Sequence, residues 1–189
     1  MDGLDGPLIV LFAIPVVGLI WFIAGFNALV RIRNHCRESW SNIDTELKRR
    51  YDLIPNLVNT VKGYAAHENE LFERVTQARN TALTSNGSPA SQAADENNLV
   101  RGVRQLFAVA ESYPDLKASK NFLALQDELS NTEDRIQRAR RFYNANVRDL
   151  NTRIEVVPSN LIANWFGFQK EEYFEVEDAI VREAPAVSM

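Results

Sequence analysis

The stretch GPLIVLFAIPVVGLIWFIAGFNALV, residues 6–30, holds no charged side chain, and Asn27 is its one plainly polar residue. At about 1.5 Å of rise per residue, such a helix is longer than the roughly 30 Å hydrocarbon core of a bilayer and can cross it with tilt. Trp21 and Phe22 suit the exit into the interface. Pro15 removes one helical hydrogen bond, a loss that membrane helices tolerate where neighbours satisfy the freed backbone. A cleaved signal peptide would open with positive charge and a short apolar region, whereas this chain opens Met1-Asp2-Gly3-Leu4-Asp5 and its apolar run is too long. A buried core helix fits worse, because soluble domains of this size seldom enclose so long a helix that is apolar all round.

Arg31, Arg33 and Arg37 follow the span at once, and the tail before it has no Lys or Arg. Positive flanks stay in the cytoplasm, so the large domain is expected there. The expected organisation is a short extracytoplasmic tail (1–6), a transmembrane helix (7–30), a cytoplasmic helical bundle (31–168) and an acidic tail (169–189). The whole is a single-pass protein of a bacterial cytoplasmic membrane.

A chain of 189 residues, 46 % hydrophobic, has room for one domain of ordinary core size besides the anchor. The formal net charge of -4 lacks the basic surplus on which a nucleic-acid binder relies, so nucleic acid is set aside as a partner. Cys36 is the only cysteine, which excludes an intramolecular disulfide and a cysteine-rich metal site within one chain, and fits a reducing compartment.

Past the span, apolar residues recur at heptad spacing: Trp40, Leu47, Ile54 and Val61 in one register, Ile43, Leu57, Tyr64 and Leu71 in the other, with Arg50 occupying the position between Ile43 and Leu57. This predicts one long, kinked helix passing Pro55, with a break near Tyr51 as the alternative, and helix formers continue to about Thr84. Residues 85–95 read as a loop on the strength of Ser85-Asn86-Gly87-Ser88-Pro89. A helix over about 94–113 carries Leu99, Val103, Leu106, Phe107 and Ala110, and Tyr113-Pro114 ends it.

Phe122, Leu129, Ile136, Tyr143, Leu150 and Val157 then fall at a strict spacing of seven, with Leu125, Ala139, Phe142, Val147 and Ile154 widening the stripe. Thr132 and Asn146 lie near that seam and need partners if buried. Pro158 stops this helix, and Ser159 is expected to cap a short one bearing Leu161, Ile162, Trp165 and Phe166 that ends at Gly167. With no convincing strand, the expected fold class is all-α: the transmembrane helix continues into an antiparallel helical bundle of three to four long helices.

Chemistry is sparse. Ala66-His67-Glu68-Asn69-Glu70, near Glu73, lacks the second histidine of a zinc-protease helix, since position 71 is Leu, and His35 lies beside the membrane. The ordinary reading of this cluster is a polar helix face with local ion pairs. No nucleophile-elbow or phosphate-loop glycine pattern occurs, so no catalytic, cofactor-binding or metal-binding residue is assigned and no cofactor is expected. Cys36 is read as a small apolar residue rather than a reactive or lipid-modified thiol. In the basic run Lys48-Arg49-Arg50, Arg50 falls on the seam, where partial burial against a carboxylate of another helix would make it structural. Glu171, Glu172, Glu175, Glu177 and Asp178, with Tyr173 and Phe174 among them, read as a solvated, loosely packed tail rather than a docking site for a basic partner.

Trp40-Ser41-Asn42-Ile43-Asp44, the block from Leu47 to Val58, Val61-Lys62-Gly63-Tyr64 and His67-Glu68 together resemble the LemA family of bacterial membrane proteins. The likeness continues through Arg141-Phe142-Tyr143-Asn144, Val147, Asn151, Ile154, Pro158-Ser159-Asn160, Phe166-Gly167-Phe168 and Tyr173-Phe174, covering almost the whole chain. Pro185-Ala186-Val187 is similar to the family's ending, but Ser188-Met189 replaces its aromatic finish. The resemblance implies a cytoplasmic helical bundle on an N-terminal anchor with the N-terminus outside. It supplies no reaction and no catalytic set, and a magnetosome-forming relative suggests, by analogy, membrane organisation.

Two functions of different class follow. The first is a non-enzymatic scaffold or organiser at the cytoplasmic membrane, bound to the lipid bilayer, forming a homo-oligomer and meeting other membrane proteins through its remaining exposed faces; Ala24-x-x-x-Ala28 is compatible with close helix packing. The alternative is a monomeric adaptor or sensor for a membrane protease or signalling partner, presenting the acidic C-terminal segment or the 85–95 loop. An enzyme centred on His67, Glu68 and Glu70 is the third class.

Overall fold

The computed structural model describes the backbone of residues 5–176 and the side chains from Leu11 onward. Among these residues there are six helices and no strand: α1 (Asp5–Lys62), α2 (Asn69–Thr84), α3 (Pro89–Ala110), α4 (Pro114–Lys117), α5 (Lys120–Glu155) and α6 (Ser159–Trp165). The all-α expectation holds. The tail Met1–Leu4, the acidic residues Glu177 and Asp178, and the ending Pro185–Met189 lie outside the described residues.

The described residues divide into two compact units, 39–144 with 172–176, and 5–38 with 145–171. In the first, α2 folds back along α1 through a turn in which Tyr64 and Ala65 donate to the Val61 carbonyl at 3.0 and 2.9 Å. Helices α2 and α3 pack closely at Gly102, where an added Cβ would stand 3.2 Å from Val75 Cγ2. Contacts pair Trp40 with Tyr143 and Arg50 with Glu133, so α1 and α5 run antiparallel. The heptad residues Phe122, Leu129, Ile136 and Tyr143 are all buried, as the period demands of a helix with one covered side.

Pro55 lies within α1, which runs unbroken to Lys62. Proline has no N–H to give the carbonyl four residues back, here Tyr51. Arg79 of α2 replaces it, its Nε–H donating to the Tyr51 oxygen at 3.0 Å. The break near Tyr51 is therefore absent.

In the second unit, the covered face of α1 begins at Phe22 and passes through Gly25, Phe26, Leu29 and Arg33 to Cys36; residues 11–21 are all exposed. Val147, Leu150 and Ile154 of α5 are buried, and Asn146 Nδ2 donates to the His35 carbonyl at 3.4 Å. Helix α6 turns its Ile162 and Ala163 inward and ends at Trp165; Gly167 follows just beyond the cap, where its φ of 66° is the left-handed conformation that glycine adopts without a Cβ clash.

Several boundaries differ from the sequence expectation. The helix read as continuing from α1 to Thr84 is interrupted at 63–68, where Gly63 weakens the helix and the chain reverses; Tyr64, placed in the seam, is 46 % exposed in that turn. The 85–95 loop is only 85–88, because Pro89 opens α3 as its first residue, a position where its missing N–H costs nothing. The helix expected to reach Tyr113 ends at Ala110, and the separate turn α4 follows. Val157 is 78 % exposed because α5 stops at Glu155, and Phe142 is exposed as well. Ser159 is not an N-cap: its hydroxyl donates backward to the Arg153 and Val156 carbonyls at 2.7 and 3.0 Å.

The described part of the C-terminal segment is not loosely packed. In the first unit Phe174 is wholly buried against Trp40, ring centroids 5.3 Å apart. Asn144 brackets Phe174, its Nδ2 donating to the carbonyl at 3.1 Å and its Oδ1 accepting the amide at 3.0 Å. In the second unit Asn151 holds Glu171 by the same reciprocal pair, at 2.9 and 3.0 Å. An asparagine side chain presents one donor and one acceptor side by side, matching the amide and carbonyl of an extended residue as a strand would.

Candidate functional site

The most unusual group in the bundle is Arg50, which has no solvent exposure. Its position in the register of Ile43 and Leu57 on α1 turns it inward. Nη2 lies 3.0 Å from Glu96 Oε2 on α3, and Nη1 lies 3.1 Å from Glu133 Oε1 on α5. One guanidinium thus ties three helices. Both carboxylates are themselves buried, at 1 % and 5 % exposure. Tyr51 donates its hydroxyl to Glu96 Oε1 and lies 3.4 Å from the Ala82 carbonyl, bringing α2 into the cluster. The Arg50 contacts are close ion pairs without good hydrogen-bond alignment, and Nε finds no acceptor among the described residues.

Charge counting shows the consequence. One buried cation faces two carboxyls, so full ionisation would leave one uncompensated negative charge in a low-dielectric interior. Burial accordingly pushes both Glu96 and Glu133 above the ordinary carboxylate range, against the opposing pull of Arg50. Burial, with Glu96 alongside, also raises the Tyr51 phenol, which keeps its proton and remains a donor. The cluster is closed to solvent, so its chemistry is internal: it fixes which faces of α1, α3 and α5 meet.

The expectation that Arg50 pairs structurally with another helix is met twice over. Its partners were not singled out from sequence, although both continue apolar stripes: Glu96 stands three before Leu99, and Glu133 four after Leu129. A carboxylate on the covered face of a helix is the signal that would have found them.

The other sequence candidates stay apart. His67, Glu68, Glu70 and Glu73 are all exposed around the start of α2, and no three His, Cys, Asp or Glu side chains among the described residues are arranged to hold a metal ion. Cys36 is 2 % exposed, and burial, with Glu171 and Asp149 adding to it, pushes its thiol up to about 11. It is a packed, unreactive side chain. Thr132 donates to the Glu128 carbonyl at 2.8 Å, the local partner that its buried hydroxyl requires.

In the unit holding the apolar segment, aromatic rings dominate. Phe166 lies 4.7 Å from Phe26 and 5.8 Å from Phe22 between centroids. Phe168 stands edge-on to Phe26 at 6.0 Å, and the Arg33 guanidinium lies 5.0 Å from the centre of the Phe168 ring. A Cβ on Gly25 would come within 2.6 Å of Ile162 Cδ1, so the missing side chain makes room for α6.

Known proteins give a consistent picture. The defining pattern of the LemA family matches residues 39–189. The chain is 28 % identical over 180 residues to Protein LemA of Metamycoplasma hominis, covering 93 % of this chain and 81 % of that one. It is 25 % identical over 203 residues to the magnetosome protein MamQ of Magnetospirillum gryphiswaldense and 26 % identical to MamQ 2 of Paramagnetospirillum magneticum, in each case covering 92 % of this chain and 75 % of the relative.

Proposed function

Since the chain belongs to the LemA family, a group of membrane-associated helical proteins, we propose that it is a non-enzymatic, single-pass scaffold that self-associates at the bacterial cytoplasmic membrane. The observation that carries this reading is the state of the N-terminal half of α1. Leu11, Phe12, Ile14 and Val17 are 64 to 69 % exposed, in a segment of mean hydropathy 2.1. A core helix of a soluble protein would be covered by its own fold; bare apolar side chains over such a length are suited to lipid. Arg31, Arg33 and Arg37 support a cytoplasmic bundle by the positive-inside rule.

The most buried charges are engaged with one another, which favours a structural over a catalytic use of the core. Similarity to magnetosome proteins favours an organising role. Within the span, Gly18 has nothing within 4 Å of an added Cβ and Ala24 is exposed, leaving room for close approach by a second helix. The test is the mass of the full-length protein in lipid nanodiscs formed directly from membranes. A discrete multimer is expected, and Gly18→Leu should shift it toward smaller species. A strict monomer at every concentration would overturn self-association.

A further inference from the structure

We propose that α6 and its flanks form an interfacial helix that lies in the bilayer leaflet on the Arg31 side, with Val157, Leu161 and Trp165 immersed among lipids. The inference rests on the reading of residues 6–30 as the membrane span. Residues 156–169 contain no charged side chain. On one side of this segment Ile162 and Ala163 are buried. The other side is apolar and bare: Val157 is 78 % exposed, Leu161 63 % and Trp165 82 %. Leu161 and Trp165 stand four apart on one face of α6, Val157 lies in the turn just before it, and Val156 and Phe166 flank them at 46 and 47 % exposure. In water such a patch is unfavourable, and its area calls for an occupant.

The packing within this unit says what the occupant is. Ile162 on the inward face of α6 meets Gly25, and Phe166 at the helix's C-terminal edge meets Phe22 and Phe26, all inside the uncharged run that precedes Arg31. At about 1.5 Å per residue these positions lie roughly 7 to 14 Å from Arg31 along the helix axis, overlapping the depth at which amphipathic helices settle at the headgroup and acyl boundary. If α1 spans a bilayer, α6 is carried to lipid depth with it, and the bare face has acyl chains as neighbours. The polar edge fits the same placement. Asn164 is exposed, and the segment is bracketed by an ion pair between Lys170 and Glu155, both in solvent. Trp165 is the residue type that concentrates at the membrane interface.

The test uses the full-length protein in vesicles of phosphatidylcholine and phosphatidylglycerol, with or without phosphatidylcholine brominated near the top of its acyl chains. Bromine quenches tryptophan on contact. Wild type, Trp21→Phe and Trp21→Phe/Trp165→Phe are compared, so that successive differences isolate the emission of Trp21 and of Trp165 while Trp40 stays in place. Neither replaced residue is in the buried core, so the fold is preserved. Trp165 is expected to lose about half of its emission to brominated lipid, as an interfacial tryptophan does. The same comparison made with Val157→Asp/Leu161→Asp present should remove that loss and leave the quenching of Trp21 intact. Quenching of Trp21 without quenching of Trp165 would overturn the proposal while leaving the span standing, and would point to a protein partner for this face. Absence of quenching at both would overturn the span and the proposal together.

Discussion

Arg79 and Tyr51 are joined by a hydrogen bond of 3.0 Å from guanidinium Nε to the main-chain oxygen that Pro55 leaves unpartnered inside α1. Removing the donor strands a carbonyl next to the core. Arg79→Ala is expected to lower the unfolding free energy by about 1–3 kcal/mol. Pro55→Ala restores the helical donor, so in its presence the same Arg79→Ala change should cost clearly less. Denaturant unfolding of the four proteins of this cycle in mild detergent reads the coupling directly.

Arg50 compensates two carboxyls at once, so its loss is asymmetric. Arg50→Met should destabilise the bundle by about 3–5 kcal/mol, because Glu96 and Glu133 then stay buried without a cation. Replacing all three with apolar residues of similar volume should recover most of that loss, since a dry apolar core avoids the desolvation of the charges. Thermal unfolding of the two variants beside wild type separates these outcomes. Equal damage from both would mean that the ion pairs themselves supply net stability.

Burial raises the folded-state pKa of Glu96 and Glu133 above that of the unfolded chain. The groups facing them are Arg50 and Tyr51 from α1, Asp95 from α3, and Asp134 and Arg140 from α5. Between the ordinary carboxylate value and the raised one, the native state holds more protons than the unfolded state. The contribution to stability is therefore full below the unfolded value and declines as pH rises through the folded value. Glu133→Gln fixes one carboxyl in its neutral form. Its stability should fall less steeply than that of wild type as pH is raised through this window, in unfolding curves measured at a series of pH values.

Asn144 supplies the two hydrogen bonds that hold the Phe174 backbone in place. Asn144→Ala leaves a buried amide and carbonyl without their partners and should cost about 1–3 kcal/mol. Hydrogen exchange should localise the effect, with the Phe174 amide losing protection well before the α5 amides around Ile136. Unchanged protection at Phe174 would show that the Trp40 ring, with the Tyr143 and Arg140 hydrogen bonds to the Glu172 and Val176 carbonyls, is enough to hold the segment.

Much of the architecture could be read from one-dimensional periodicity. The buried set Phe122, Leu129, Ile136, Tyr143 and Leu150 is the heptad of α5, and the inward turn of Arg50 follows from its place between Ile43 and Leu57. The ends of elements were less legible. The stripe on α1 keeps its phase through Tyr64 and Leu71, yet the chain reverses between them, because phase continuity does not distinguish one helix from two that cover the same core. The sequence singled out Asn146 as needing a partner and Asn144 and Asn151 as part of the family likeness, but it named no partner for any of them. An amide on a helix is ordinary until an extended segment, distant in sequence, comes to lie beside it.

The sequence alone determined the apolar span, the helical class and the side of each long helix that is covered, since these depend on spacing along a single chain. Only the tertiary structure decided that Arg50 meets both Glu96 and Glu133, that Arg79 completes the helix at Pro55, that Asn144 and Asn151 hold the C-terminal segment, and that α6 packs on Phe22 to Phe26. Those pairings depend on the axial offset between helices. A seven-residue period says which face is covered and nothing about how far one helix slides along another, and that offset is settled when side chains from several elements fill a common core at once.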